Sequence, residues 1–405
     1  MLIETFIRKQ LGLKAHRVTG VEATEAAVVV RIDRLGRRRL RCGRCGVQVR
    51  QVHDVRPERR WLDLTLRGVR LVLMYRPRRL CCRHCGVHVE AVPWAEPWAR
   101  VTRALAGAVV GLARRLSWQE TARIYGLNWK SVASLVRRAV DCGLAERRQK
   151  PLHWIGIDEV SRKKGHRYLT VVYDLERRLL VWVGEDRTTE TLAKFFTGLG
   201  RRRCRTIRVV CMDMWAAYAK AVADHLPNAQ VLFDRFHVVQ HLNRAVDEVR
   251  RNEMRRLSRR ERTPFRRIRY LLLKSPQNLS LTEKDRISRL VRWNNPIVRA
   301  YLLKELFQLF WEYDDPELAR AHMLNWIRKA KRTRLTPFKV FVRLLANHLE
   351  GILAWTSLRL SNGALEGMNN KIKLVSHRGF GFRSTSNFIA AIYHSCANLP
   401  LPNWR

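Results

Sequence analysis

Acidic side chains stand at three places in this chain where a metal site could form. Asp158 follows the apolar segment 154–157, Asp213 follows the apolar segment 207–212, and Glu366 lies in a polar segment farther along. Carboxylates at the ends of neighbouring buried strands lie close together and repel one another unless cations intervene. Two divalent ions held there can activate one oxygen and stabilise another in a phosphodiester displacement. Because hard cations prefer oxygen ligands, the pattern predicts a site for Mg²⁺, or Mn²⁺, made by Asp158, Asp213 and Glu366.

The segment around Glu366, SNGALEGMNNKIK, predicts a helix. Ser361 or Asn362 can cap its first turn. The helical repeat then places Glu366, Asn370 and Lys373 along one face, so the three side chains can act together.

Each of these acidic residues also has a simpler interpretation. A surface or salt-bridged carboxylate is the usual fate of an acid in a chain this rich in arginine. Glu159 is the nearest rival of Asp158. Because side chains alternate along a strand, only one of these two neighbours can join the cluster.

Two pairs of cysteines have the spacing of a structural metal site. Cys42 and Cys45 form one Cys-x-x-Cys pair, Cys82 and Cys85 form the other, and a glycine follows each pair. Four thiolates in a tetrahedron satisfy Zn²⁺ and leave no coordination position open, so the pairs predict a zinc ribbon around a hairpin. Redox-active or unliganded thiols are the alternative. Cys81 falls one residue outside this spacing and is expected to take no part.

The charge of the chain restricts its partners. Its 405 residues include 79 lysines and arginines against 35 aspartates and glutamates, a formal net charge of +44, while 46% of residues are hydrophobic. DNA neutralises such a charge by releasing condensed counterions, so double-stranded DNA is the expected partner. A solvated basic surface is one alternative. An anionic membrane is another, but the uncharged apolar segment 104–113 is far shorter than the roughly 20 residues of a membrane span.

No secretory signal is recognisable at the start of the sequence, MLIETFIRKQLGL, because an acidic residue comes early and no long apolar region follows. We therefore expect a cytoplasmic protein associated with DNA in the bacterial nucleoid and not with a membrane.

Residues 99–146 predict a helix-turn-helix. Ser117 and Glu120 have the spacing of a capping box, and the helix that they open stops at Gly126. Asn128 can cap a second helix with a polar, basic outer face, which we expect to contact DNA through Lys130, Ser131, Ser134, Arg137 and Arg138. The alternative is a helical hairpin whose charged face meets only water. An earlier helix is predicted with this buried stripe: Val101, Leu105, Ala108 and Leu112.

The segment 250–270 is strongly basic, with ten arginines and two glutamates. Its arginine doublets predict a basic stripe on a helix, suited to DNA phosphates without base specificity, with Arg251, Arg255 and Arg259 among the contacts. Nearby aromatic residues are expected in the core of a helical insertion and not as stacking partners of bases: Trp293, Phe307, Phe310, Trp311, Trp326 and Trp355.

Between residues 150 and 249 the predicted elements follow the order strand, strand, strand, helix, strand, helix, strand. This is the order of an RNase H-like core.

Four segments resemble those of the ISL-three family of insertion-sequence transposases: IGIDEVSRKKGHRYLTVVYD, VVCMDMWAAYAKA, VLFDRFHVVQHLNRAVDEVRR and SNGALEGMNNKIKLVSHRGFGF. The resemblance covers nearly the whole chain, because that family also carries a cysteine-pair module and a helix-turn-helix. It implies that Asp158 and Asp213 are the catalytic aspartates and Glu366 the catalytic glutamate. The long second spacing would hold a helical insertion.

Two further elements resemble parts of other transposases. Lys373 resembles the lysine that follows the glutamate in several of them, although Asn362 stands where those relatives have an arginine. Asp234 and His237 resemble an Asp-x-x-His element of some superfamilies, which implies an accessory role, either orienting or facing DNA.

The fold class expected is therefore multidomain α+β: an N-terminal zinc ribbon, a helix-turn-helix, and an RNase H-like α/β catalytic core interrupted by a helical insertion. We place the N-terminal region at 1–98, with its zinc ligands within 42–85, and the helix-turn-helix domain at 99–146. The core begins at 150–249, the basic helical insertion occupies 250–350, and 351–405 completes the core with the glutamate helix.

The resemblance implies a DDE-type transposase that binds the terminal inverted repeats of its element, cuts DNA with the help of Mg²⁺ and transfers the strand. Two ends must be joined, which implies a homodimer or a larger oligomer. No P-loop pattern is present, in keeping with a reaction that needs no nucleotide. A non-catalytic DNA-binding regulator derived from a transposase, and a nuclease that cuts without joining, are the alternatives.

Overall fold

The computed structural model describes residues 3–36, 40–148, 150–163, 167–292, 295–359 and 363–402. They form two compact units. The first unit is drawn from Met1–Arg148 and Leu374–Arg405, and the second from Gln149–Lys373. The predicted caps Ser361 and Asn362, and Trp293, lie outside the described residues.

The first unit begins with one helix and two sheets. Its elements are α1 (Ile3–Gln10), β1 (His16–Ala23), β2 (Ala27–Arg34), β3 (Val52–Val55), β4 (Arg59–Leu62), β5 (Arg70–Tyr75), β6 (Arg78–Cys82) and β7 (Gly86–Val89). One sheet has the order β1-β2-β5-β4, in which only β2 and β5 run parallel. The other, β3-β6-β7, is antiparallel. Strands β4 and β5 pair as an antiparallel hairpin with a turn at Gly68.

A buried ion pair lies at the core of this region. Arg34 donates to Glu90 at 2.9 Å, and the two side chains are only 2% and 0% exposed. The Tyr75 hydroxyl donates to the other carboxylate oxygen of Glu90 at 2.7 Å, and the backbone N–H of Arg78 donates to it at 2.9 Å. Because both oxygens of the Glu90 carboxylate are partnered, the polar atoms of this carboxylate are satisfied inside the core.

Three helices follow in the first unit: α2 (Arg103–Ala113), α3 (Trp118–Ile124) and α4 (Trp129–Glu146). The stripe predicted for α2 is partly wrong, because Ala108 and Leu112 are only half-buried. The residues that α2 buries are Leu105, Ala106, Val109, Val110 and Ala113.

The second unit is built on a five-stranded sheet. Its strands are β8 (Trp154–Lys163), β9 (Arg167–Asp174), β10 (Leu179–Glu185), β11 (Val209–Met212) and β12 (Gln230–Phe233), with helices α5 (Thr189–Leu199), α6 (Arg201–Cys204) and α7 (Ala216–His225). The order is β10-β9-β8-β11-β12. The pairs β10-β9 and β9-β8 are antiparallel, and β8-β11 and β11-β12 are parallel. The predicted order of strands and helices is confirmed, with the short α6 as an addition.

Helices dominate the rest of this unit. They are α8 (Arg235–Arg256), α9 (Arg269–Leu273), α10 (Leu281–Val291), α11 (Pro296–Gln308), α12 (Pro316–Arg332), α13 (Thr336–Asn347) and α14 (Leu349–Leu358). Phe307, Phe310, Trp311 and Trp326 are buried, as predicted for a helical core, and Trp355 is half-buried.

The basic segment 250–270 differs from its prediction. Helix α8 ends at Arg256, and a 3-10 turn at Thr263–Phe265 separates it from α9. Pro264 disfavours helical backbone at the residue before it, so the arginines cannot share one continuous helix. Arg251, Arg255 and Arg259 are nevertheless all exposed.

Two helices complete the chain, α15 (Gly363–Arg378) and α16 (Thr385–Cys396). The boundary between the two units falls inside α15, after Lys373. Across the described residues, no helix combines the length and apolar character needed to cross a membrane.

Candidate active site and DNA-binding surfaces

Three aspartates lie side by side on adjacent parallel strands of the second unit. Asp213 and Asp234 come directly after β11 and β12, and Asp158 lies within β8, next after the residue that pairs with the end of β11. Strand β11 lies between β8 and β12, and Met212 is in register with Ile157 on one side and Phe233 on the other. Neighbouring strands lie about 4.8 Å apart, so the residues that come next emerge side by side. Those residues are Asp158, Asp213 and Asp234.

Asp158 is held from two directions. Its Oδ1 accepts from the backbone N–H of Glu159 at 2.7 Å, and its Oδ2 accepts from the side-chain amide of Asn369 on α15. Burial raises the pKa of Asp158 and the Asp213 carboxylate adds to the rise, while the Glu159 N–H, His237 and Asn369 act against it. A carboxylate withdrawn from water beside another carboxylate is a site that a cation would stabilise.

Asp213 faces a histidine. Its Oδ2 lies 3.5 Å from Nδ1 of His237, and its Oδ1 accepts from the backbone N–H of Met214 at 2.6 Å. His237 lies on the first turn of α8 and also interacts electrostatically with Asp158 and Asp234. Asp234 and His237, the two polar residues of the Asp-x-x-His element, therefore both lie beside Asp158 and Asp213.

Asp234 is the most deeply buried of the three aspartates, with 7% of its surface exposed. It caps α8, since its Oδ1 accepts from the backbone N–H of Phe236 at 2.6 Å. Burial raises the pKa of Asp234 to about 6, even though the Phe236 N–H and His237 favour the charged form. Asp234 therefore holds its proton more tightly than an ordinary aspartate.

Glu366 lies on the first turn of α15 and is exposed. One turn later, Asn369 bonds to Asp158 and accepts from the Tyr173 hydroxyl at 2.8 Å. Side chains three residues apart on a helix are neighbours, so Glu366 lies within one turn of the Asp158 contact. Among the residues described, however, the carboxylates of Asp158, Asp213 and Glu366 do not all come within 4.8 Å of one another.

Asn369 and Tyr173 are contacts that the sequence prediction missed, since it selected Asn370. Asn370 and Lys373 are both exposed on α15. The pair of adjacent asparagines was the available signal, because only one of two neighbours on a helix can face the sheet.

Glu159 does not join the aspartates. It accepts from Arg187 at 3.0 Å, and that guanidinium lies over the rings of Tyr168, at 4.1 Å, and Trp215, at 4.5 Å. The alternation argument, which allowed only one of Asp158 and Glu159 in the cluster, agrees with this pairing.

The four paired cysteines form a second site, in the first unit. The sulfurs of Cys42, Cys45, Cys82 and Cys85 all lie within 4.8 Å of one another, and the group excludes Cys81. Cys45 Sγ and Cys82 Sγ are 3.6 Å apart. A tetrahedral ion with Zn–S bonds of about 2.3 Å sets its sulfurs about 3.8 Å apart, so the arrangement fits zinc.

Backbone N–H groups prepare one of these thiols for a cation. The N–H of His84, helped by that of Cys85, lowers the pKa of Cys82 to about 7. The hydrogen bond with Cys45, together with burial, raises the pKa of Cys85 to about 12. Four such sulfurs cannot all be charged unless a cation neutralises them.

Both predicted N-caps of the helix-turn-helix are present. Ser117 caps α3 by accepting from the backbone N–H of Glu120 at 3.1 Å, and Asn128 caps α4 by accepting from that of Lys130 at 2.9 Å. Gly126 makes the turn with a φ of +61°, a conformation that suits glycine.

Helix α4 divides cleanly into two faces. Its inner face buries Val132, Leu135, Val136 and Ala139. The outer side chains are all exposed: Lys130, Ser131, Ser134, Arg137 and Arg138. A polar, basic face on the second helix is the form that a major-groove reader takes.

Known proteins match both parts of the chain. Residues 155–392 match a DDE family of ISL3 described as "Transposase", and residues 90–140 match the helix-turn-helix domain of transposase family ISL3. The transposase for insertion sequence element IS1001 of Bordetella parapertussis is 34% identical over 357 residues, 87% of each chain. The transposase for IS1557 of Mycobacterium tuberculosis is 32% identical over 374 residues, 86% of this chain and 84% of that one.

The fold and these matches define a transposase of insertion sequences with a helix-turn-helix domain for DNA and a DDE domain. The chain belongs to transposase family ISL3.

Proposed function

We propose that this transposase binds the terminal inverted repeats of its element, cleaves DNA beside them and transfers the freed strand to a target. The observation that carries the proposal is the alignment of Asp158 and Asp213 directly after the last paired residues of the parallel strands β8 and β11, with α15 joined to Asp158 through Asn369. Asp158, Asp213 and Glu366 are the catalytic residues.

The core that holds them is RNase H-like, with α8 to α14 inserted before the glutamate helix. The sheet order is β10-β9-β8-β11-β12. Strands β10, β9 and β8 pair antiparallel, strands β8, β11 and β12 pair parallel, and this arrangement supports the assignment.

The donor set suits hard divalent cations. Carboxylate oxygens are the ligands that Mg²⁺ prefers, and because burial raises the pKa of Asp158, a bound cation would stabilise its charged form. Two such ions, when bound, would polarise the scissile phosphate and stabilise charge on the attacking and leaving oxygens. Glu366 is exposed on the first turn of α15, one turn from Asn369, and in this proposal its carboxylate completes the cation site.

The remaining polar groups orient these ligands. Asn369 holds Oδ2 of Asp158, and Tyr173 in turn holds Asn369. His237 faces Asp213 and donates to its carboxylate when protonated. Asp234 adds negative charge to the cluster once it ionises.

Each of the two steps breaks one P–O bond and forms another. In the first step water attacks phosphorus, the P–O3′ bond breaks, and a 3′-hydroxyl and a 5′-phosphate remain. In the second step that 3′-hydroxyl attacks a target phosphodiester, forming one P–O3′ bond as another breaks. Because each bond lost is replaced, no nucleotide needs to be hydrolysed.

DNA binding is shared among several surfaces. We assign base recognition to the outer face of α4, with Lys130, Ser131, Ser134, Arg137 and Arg138. Asn370 and Lys373 would contact DNA beside Glu366. Phosphates would pair with Arg251, Arg255 and Arg259, although Arg251 also lies 3.3 Å from Asp247.

The cysteine site holds structural zinc in this proposal. Zinc would tie the first Cys-x-x-Cys pair to the β6–β7 hairpin. The enzyme would act on two element ends as a homodimer or larger oligomer, on DNA in the bacterial nucleoid.

A plasmid assay tests the proposal. Supercoiled DNA carrying the element's ends is incubated with Mg²⁺ and either the wild-type protein or Asp213→Ala. Joined products from the wild type alone support a transposase. Nicks without joining would indicate a nuclease, and bound but intact DNA would indicate a regulator.

A further inference from the structure

An exposed aromatic residue stands in the loop between α15 and α16. Phe380 is 96% exposed and has a φ of +51°. A bulky side chain in the left-handed region costs free energy, and so does a fully solvated phenyl ring. Asparagine or glycine would fill this position with less strain, so the fold itself gives no reason for phenylalanine.

The loop around Phe380 is fixed. The backbone N–H of Phe380 donates to His377 O and that of Gly381 donates to Ser376 O, both at 2.9 Å. Phe382 stacks on Phe388 at 5.2 Å, and a Cβ at Gly379 would lie 2.8 Å from the Phe382 ring. The exposed ring is therefore presented from a rigid support.

Phe380 lines a cavity of about 750 Å³ within the first unit. Helix α3 and the start of α4 form part of its wall, including Trp118, which packs edge-on against Phe382 at 5.4 Å, and Trp129, which is 42% exposed. A cavity of this volume is large enough for a small organic group.

The charged side chains lining the cavity favour an anion. They are Arg123, Arg378, Arg383 and Glu120. Arg378 is anchored, because it donates to Arg114 O at 2.6 Å and to Ser395 Oγ at 3.4 Å. Three arginines against one glutamate attract a polyanion and disfavour an equally basic second copy of the chain.

We propose that this cavity is a stacking site for one unpaired base of DNA, with Phe380 as the ring on which the base stacks. Aromatic rings accept any base because every base has a π-face, and the surrounding arginines meet the flanking phosphates. The helices that form the wall belong to the helix-turn-helix, so a base displaced from the duplex would be held next to the reading helix. The inference rests on the proposed DNA binding and not on the carboxylate site.

The test uses a probe that needs no cleavage. One duplex carries a single extrahelical 2-aminopurine, and a second has the same sequence fully paired. The wild-type protein should prefer the first duplex by about tenfold and quench its fluorescence, since stacking on an aromatic side chain typically contributes that much. Phe380→Asn should abolish the preference and the quenching, and Phe380→Trp should keep both.

Two controls separate stacking from misfolding. Asparagine tolerates left-handed backbone, so Phe380→Asn should melt at the wild-type temperature or above it. Trp98 is 76% exposed with a φ of +63° and does not line this cavity, so Trp98→Ala should keep the preference. Asp213→Asn should also keep it, which distinguishes failure of this inference from failure of the catalytic proposal.

Two results would overturn the inference. One is equal affinity of the wild type for the two duplexes. The other is a Phe380→Asn variant that retains the preference. If that variant also sediments as a smaller assembly without DNA, Phe380 contacts a second copy of the chain instead of a base.

Discussion

Asn369 donates a hydrogen bond to Oδ2 of Asp158, although the two residues are 211 positions apart. This contact joins α15, which carries Glu366, to β8, which carries Asp158, the first of the proposed catalytic aspartates. Groups that orient a metal ligand typically change metal affinity or activity by about 10- to 100-fold when removed.

Asn369→Ala should therefore raise the Mg²⁺ concentration needed for half-maximal cleavage, by about tenfold or more. Asn370 is exposed and is its matched control. Asn370→Ala should weaken DNA binding and leave the Mg²⁺ requirement unchanged. Magnesium titrations of strand cleavage check the prediction, and equal Mg²⁺ curves for Asn369→Ala and the wild type would refute it.

The cysteine site gives a second matched pair. Cys82→Ser should lose zinc and unfold the N-terminal part of the chain, because three sulfurs no longer close the tetrahedron. Its neighbour Cys81 lies outside the group, so Cys81→Ser should retain the metal. Atomic absorption of the purified proteins measures this directly. Unchanged zinc in Cys82→Ser would show that the assignment is wrong.

The buried ion pair between Arg34 and Glu90 should be important for stability. Glu90→Gln leaves a buried guanidinium without its counter-charge and should lower the free energy of unfolding by about 3–5 kcal/mol. The exposed pair of Glu22 with Arg31, at 3.2 Å, is the control, and Glu22→Gln should cost less than about 1 kcal/mol. Denaturant titrations followed by tryptophan fluorescence compare them. Similar losses for both variants would contradict the expectation.

Asp234 should make stability depend on pH. Its folded pKa of about 6 lies above its ordinary value of 3.8, so the folded protein holds the proton more tightly than the unfolded chain. Stability contributed by this group is therefore present below pH 3.8 and is lost as pH rises to about 6.

Asp234→Asn removes this loss and can still cap α8, because asparagine is an equally good capping residue. Without divalent ions, the variant should gain stability over the wild type as pH rises from 4 to 6, by up to about 3 kcal/mol. Unfolding curves at several pH values measure the gap. A gap of constant size would show that Asp234 does not titrate in this range.

Much of the catalytic unit could be predicted because its signals are local. Apolar segments that end in aspartate mark β8 and β11, and the helices at Thr189–Leu199 and Ala216–His225 stand where the alternation of strands and helices places them. The caps Ser117 and Asn128 were also predictable, since capping depends on residues only two or three positions apart.

The features that were not predicted from the sequence depend on the rotation of a helix about its own axis and on contacts between residues far apart in the chain. Asn369 and Asn370 are indistinguishable until the sheet decides which one faces Asp158. The buried stripe of α2 includes Val109 and Ala113, not Ala108 and Leu112, because one residue of rotation preserves the same spacing. The spacing of the arginine doublets predicted one helix through 250–270. In the structure α8 ends at Arg256, and a 3-10 turn that contains Pro264 follows.

The central claim is that Asp158, Asp213 and Glu366 act as one site. The most direct measurement is the rate of Mg²⁺-dependent strand cleavage by Asp158→Asn, Asp213→Asn and Glu366→Gln, with binding to the element's ends measured in parallel. The account predicts that each variant binds DNA as the wild type does and cleaves at least about a thousandfold more slowly, in line with the cost of removing one member of a catalytic group. Wild-type cleavage by any one of them, Glu366→Gln above all, would contradict it.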